Sequence, residues 1–126
     1  MSRAVGSIYE THALAYLCSQ GMRLLERNVS SRCGELDLVM EDRDGTLVFV
    51  EVKARRSRAF GGALASVGAR KQSRLLRAAG LYLLRRGGAA PPCRFDVVAF
   101  EAGRLCWIPD AFQLDAGAAG RYGTLR

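Results

Sequence analysis

No stretch of this chain approaches the roughly 18 consecutive apolar residues that a membrane-spanning helix needs. The first ten residues hold no continuous apolar run either, so a secretory signal is not expected. Histidine occurs once, at His12, and the four cysteines (Cys18, Cys33, Cys93 and Cys106) stand singly with no Cys-x-x-Cys spacing. That argues against a structural zinc site. With nothing pointing to export, four reduced thiols in a cytoplasmic protein are expected rather than a disulfide framework. Lysine is scarce too: Lys53 and Lys71 are the only two among nineteen basic residues, and the rest are arginine.

What is present is ordinary globular material. The 126 residues are 49% hydrophobic and 25% charged, enough to bury a core without disulfides or metal. One domain over residues 1–115 is expected, followed by an Ala/Gly-rich segment, 116–126, that reads as a flexible tail. The net charge is +7 and the pI about 9.8, a balance that suits a polyanionic partner such as nucleic acid and not a membrane span. A chain this small does not wrap a large substrate alone, so a homodimer is a natural expectation.

Periodicity orders the chain. Ala13, Leu14 and Leu17 recur at helical spacing within residues 7–20, with Gly21 placed as the C-terminal cap. Residues 23–29 read as a short strand, and 34–40 and 46–54 as two strands joined by a polar loop ending in Asp44-Gly45, a hairpin. A second helix runs from residue 66 or 69 to 86, closed by Gly87-Gly88, and two more strands cover 94–100 and 104–108 around Ala102-Gly103. The order is α-β-β-β-α-β-β: an α/β protein with a central mixed sheet flanked by helices. The strand-helix-strand passage allows a parallel crossover.

The hairpin carries the candidate chemistry. Side chains alternate along a strand, so Leu36, Leu38 and Met40 share one face and Val48, Val50 and Val52 another. If both apolar sets face the core, the opposite side carries Glu35, Asp37, Glu51 and Lys53. Asp37 opposite Glu51 brings their Cβ atoms to about 5 Å. Two facing carboxylates repel. A hard divalent cation relieves that, and so does Lys53. Glu10 lies on the apolar stripe of the first helix, with Ala13, Leu14 and Leu17, and needs a metal or basic partner if buried. Two plainer readings also fit: Glu51 and Lys53 as a surface ion pair, and Glu10 as a residue favoured near a helix start.

Taken together, Glu10, then Gly34-Glu35-Leu36-Asp37-Leu38, then Val48-Phe49-Val50-Glu51-Val52-Lys53-Ala54-Arg55, then Lys71 at a helix start and Arg94-Phe95-Asp96-Val97-Val98 closely resemble the YraN-like family of small bacterial proteins. That family is assigned to the restriction-endonuclease-like, PD-(D/E)xK fold. The resemblance implies a Mg²⁺- or Mn²⁺-dependent nuclease acting on DNA, including branched or damaged DNA. Asp37 and Glu51 would be metal-binding and catalytic acids, with the Val52 carbonyl a further ligand. Lys53 would orient the attacking water or neutralise the phosphate. Glu10 matches an acid on the first helix of related Holliday-junction resolvases. Lys71 or Gln72 matches an auxiliary position on the later helix. Tyr9 stands where the family usually has glycine, and it is expected to narrow the entrance.

A polyanion path is expected along Arg55, Arg56 and Arg58, just past Lys53, and along Arg70, Lys71, Arg74 and Arg77 on the second helix. Arg70, Arg74 and Arg77 form one stripe opposite the core residues Leu75, Leu76, Ala79, Tyr82 and Leu83. Glu35 and Gln72 are expected to support the site from outside it. Phe60-Gly61-Gly62 reads as a gate loop, Leu81 and Leu84 as a dimer contact or second buried surface, and Asp96 as a partner for Arg94. Two other function classes compete with the nuclease: a nucleic-acid-binding module without turnover, and an interaction subunit of a DNA-processing complex.

Overall fold

The computed structural model describes residues 3–55 and 67–112. The expected gate at Phe60-Gly61-Gly62, the residues Arg56 and Arg58, and the 116–126 segment lie outside them, as does the side chain of Arg55. Among the described residues the order is α1 (Arg3–Ser19), β1 (Arg23–Ser31), β2 (Gly34–Glu41), β3 (Leu47–Arg55), α2 (Ala69–Arg86), β4 (Cys93–Glu101) and β5 (Arg104–Phe112). This is the α-β-β-β-α-β-β order that periodicity predicts. The helix α1 starts at Arg3 rather than at residue 7. It ends at Gly21 with φ +96°: Met22 N–H bonds to the Leu17 carbonyl and Gly21 N–H to the Cys18 carbonyl. These are the two bonds of a glycine-terminated helix end.

The five strands form one sheet in the order β1-β2-β3-β4-β5. Neighbours are antiparallel except β3 and β4, which run parallel with α2 between them in the chain. The β2–β3 turn closes as expected: Gly45, at φ +87°, donates to the Asp42 carbonyl, and Asp42 N–H bonds to the Thr46 carbonyl.

Each sheet face has its own helix. One cluster joins Ala13 and Leu17 of α1 to Leu38, Met40, Val48, Val50, Val52 and Val98. The other joins Leu75, Leu76, Ala79, Tyr82 and Leu83 of α2 to Val39, Leu47, Phe49, Phe95 and Val97. The hairpin is therefore buried on both faces over most of its length, not on one. Glu35, Asp37 and Glu51 sit at its open end, away from the turn. The expected face of Leu36 is also corrected. Leu36 packs in the α2 cluster with its register partner Val29, whereas Leu38 and Met40 face α1. The reason is that β2 leaves β3 just there: the β2–β3 ladder runs from Glu41↔Leu47 only to Leu38↔Val50, and β2 turns over as it departs.

Asp96 on β4 is fully buried and holds β5 to the sheet. Its carboxylate accepts from Arg94 Nε at 3.0 Å, Trp107 Nε1 at 3.0 Å and the Asp110 backbone N–H at 2.9 Å. Arg94 also bonds to Asp42 at 3.0 Å, tying the hairpin turn to β4. The expected Arg94–Asp96 pairing is present, and its role is structural.

Candidate metal centre at the strand split

The parting of β2 from β3 removes backbone partners that β3 would otherwise find. Val52 N–H is satisfied instead by the side chain of Asp37, whose Oδ2 accepts it at 2.8 Å. That bond draws Asp37 into the gap between the strands. Continuing the register one step past Leu38↔Val50 sets Asp37 against Glu51, the facing that alternation predicts. Glu51 is only 5% exposed. Its Oε2 lies 3.5 Å from Lys53 Nζ and 3.1 Å from Lys71 Nζ, so one buried carboxylate is held by both lysines of the chain. Lys53 reaches it along its own strand and Lys71 from the first turn of α2.

Glu10 arrives from the opposite face, on α1. Oxygens of Glu10, Glu35 and Asp37 all lie within 4.8 Å of one another. The acids thus meet across the split, drawing on both layers, rather than on one side of the sheet as the alternation argument expects. Glu35, expected to support the site from outside it, lies within this acid cluster. The spacing Glu35-Leu36-Asp37, two residues apart on a strand, is the signal for that.

The electrostatics of the group are unfavourable without a cation. Burial, reinforced by facing Glu51 and by Glu10, pushes the Asp37 carboxyl from 3.8 up to about 8, while the Val52 hydrogen bond pulls the other way. Glu10 is displaced upward as well, mainly by burial, with Arg27 opposing and Glu35 adding to the rise. The donors are all carboxylate oxygens, the ligand type that Mg²⁺ and Mn²⁺ prefer. The residues present therefore fit a hard divalent ion.

Sequence reasoning misses Arg27. Its guanidinium reaches from β1 to α1, bonding to the Ser7 carbonyl at 2.9 Å and Thr11 Oγ1 at 2.8 Å, and lies 3.6 Å from Glu10 Oε1. It docks the helix that delivers Glu10. No spacing in the chain points to it, because the bond joins residues 17 apart across two elements. Other expected residues are placed differently. Gln72 donates its amide to the Val67 carbonyl at 2.9 Å, securing the lead-in to α2. Tyr9 packs against Phe100 with ring centroids 4.9 Å apart and planes tilted by 49°, at the edge of the core under α1. Arg70, Arg74 and Arg77 are exposed on α2.

Residues 9–100 match the Uncharacterised protein family UPF0102. The chain belongs to that family. Within it, a UPF0102 protein of Burkholderia thailandensis is 59% identical over 116 residues, covering 92% of this chain and 80% of its own length. UPF0102 proteins of Burkholderia pseudomallei and Burkholderia mallei are each 58% identical over 113 residues, 90% of this chain and 78% of theirs. The UPF0102 match spans Glu10, Glu35, Asp37, Glu51, Lys53 and Lys71, the whole acid and lysine group, and ends at Phe100 before β5. Among the described residues no helix is long and apolar enough to cross a membrane.

Proposed function

We propose that this UPF0102 protein is a Mg²⁺- or Mn²⁺-dependent nuclease that hydrolyses phosphodiester bonds in DNA, branched or damaged DNA included. The observation that carries the reading is the strand split, where Asp37, Glu51 and Lys53 meet Glu10 and Glu35. The succession Gly-Glu-x-Asp and Phe-Val-Glu-Val-Lys resembles the YraN-like and PD-(D/E)xK pattern, and the element order is compatible with that fold. The net charge of +7 and the exposed arginines of α2 support a polyanionic substrate. A cytoplasmic bacterial setting, a homodimer and a protein partner in DNA processing belong to the same reading.

The residues divide the work as follows. Glu10, Glu35, Asp37 and Glu51, with the Val52 carbonyl, supply the oxygens that would hold the ion. The bound ion supplies a Lewis acid and a nucleophilic water at neutral pH. Lys71 keeps the Glu51 carboxylate oriented through their 3.1 Å ion pair. Lys53, beside it, orients the attacking water or neutralises the phosphate. Arg70, Arg74 and Arg77 contact the backbone of the strand without reading bases.

The test is cleavage of labelled single-stranded, duplex, flapped and four-way-junction DNA with Mg²⁺, Mn²⁺ or EDTA. Metal-dependent cutting that disappears in folded Lys53→Ala and Asp37→Asn proteins is the expected result. Salt-sensitive binding with no cutting in any metal overturns the enzyme reading in favour of a binding module.

A further inference from the structure

Beside the acid group lies a cavity of about 140 Å³ between the start of β2 and the first three turns of α2. Cys33 and Glu35 form one wall, and Lys71, Arg74, Leu75 and Ala78 the other. Two walls are shared with the candidate metal centre. Glu35 belongs to the acid cluster, and Lys71 is the residue that grips Glu51. The cavity therefore adjoins the strand split through Glu35 and Lys71.

The lining is amphipathic in a specific way. Lys71 and Arg74 present two cations on consecutive turns of one helix, Glu35 an acid shared with the metal group, and Leu75, Ala78 and Cys33 an apolar surface. Pockets for complete drug-sized ligands run from about 300 to 1,000 Å³, so this one accepts a single small unit. The sugar-phosphate part of one nucleotide matches both features, with its base left outside the cavity: a phosphate for the cations, where a guanidinium binds two oxygens at once, and a sugar for the apolar wall. From this geometry we infer that the cavity is a one-nucleotide subsite, which seats the nucleotide flanking the phosphodiester held at the acid group. The inference rests on the nuclease reading and deepens it. It assigns Arg74 a defined phosphate, distinct from general attraction along the α2 stripe. The cavity offers few hydrogen-bonding groups for a base edge, so the seat is indifferent to base identity.

The probe is thymidine 3′,5′-bisphosphate, which carries a phosphate on each side of one nucleoside. Its binding is measured by calorimetry with and without Mn²⁺, and Mn²⁺ binding is measured separately by its electron paramagnetic resonance signal. In the presence of Mn²⁺ the bisphosphate is expected to bind, thymidine alone to bind much more weakly, and the ribo form to bind similarly. Arg74→Gln should weaken the bisphosphate at least tenfold, the scale of a charge-assisted bond, and leave Mn²⁺ binding intact. Arg86→Gln, which removes the same charge from the far end of α2, should change it less than twofold. In a Cys18→Ser/Cys106→Ser protein, the bisphosphate should protect Cys33 from N-ethylmaleimide. Equal losses in Arg74→Gln and Arg86→Gln, or an unprotected Cys33 at saturating bisphosphate, overturn the subsite. Bound Mn²⁺ with no bisphosphate binding overturns it too and leaves the metal centre standing. Bisphosphate binding sensitive to Arg74 but with no Mn²⁺ binding supports the subsite and overturns the nuclease reading instead.

Discussion

Replacing Asp37 by Asn should stabilise the metal-free protein while removing its response to metal. In the folded chain the Asp37 carboxyl is pushed from 3.8 up to about 8, by burial first and by Glu51 next. Between those values the folded state holds a proton that the unfolded state releases, so the stability from this group falls as pH rises from about 4 to about 8. One pKa unit is worth about 1.4 kcal/mol. Relaxation around a buried charge relieves part of such a displacement. Retaining one-third of it leaves a penalty of about 2 kcal/mol at pH 8. Asparagine keeps an oxygen for the Val52 N–H and turns a donor, instead of a like charge, toward Glu51. In a chain of 126 residues, about 2 kcal/mol corresponds to a gain of about 6–10 °C in Tm. The assay is thermal unfolding of both proteins from pH 5 to 8.5, with and without Mn²⁺. Wild type should lose stability with rising pH more steeply than the variant. It should also gain more from Mn²⁺ at pH 8 than at pH 6, because the ion displaces the proton. An Asp37→Asn protein that melts at or below wild type at pH 8, with the same pH profile, refutes the claim that Asp37 bears an electrostatic penalty.

Other substitutions test the frame around the site. Asp96→Asn should cost about 2–4 kcal/mol in denaturant unfolding, because Arg94 loses a buried counter-ion while Trp107 and Asp110 compete for one remaining acceptor. Ala102→Asn should add about 0.5–1 kcal/mol, since Ala102 sits at φ +51° before Gly103 at φ +80° in a two-residue hairpin turn that favours Asn-Gly. For DNA binding, Arg74→Gln should lower the slope of log affinity against log salt by about 1, read by fluorescence anisotropy over a salt series.

The acid group was legible in part. Asp37, Glu51 and Lys53 follow from strand alternation and from the repulsion that facing carboxylates must relieve, and Glu10 from its place on an apolar helical stripe. Their convergence across the sheet did not follow, because alternation assumes a straight ladder. The departure of β2 at Leu38 sends Leu36 to the other core and frees Val52 N–H for Asp37. Arg27 was invisible for a related reason: its value lies in bridging β1 to α1, and no local pattern marks a charged residue on an edge strand as a clamp.

The sequence by itself determined the element order, the hairpin, the core stripe of α2 and the glycine stop of α1. Each is a short-range consequence of side-chain period or backbone permissiveness. It also determined the chemistry available: two lysines, a few acids and the arginines of the hairpin and its flanking helices. Only the tertiary structure decided which of those groups meet. The mixed pairing of β3 with β4, helices on opposite faces and a ladder that ends early are long-range outcomes of burying two cores on one sheet. Together they set Glu35 among the acids, both lysines on Glu51, and a small cavity against α2.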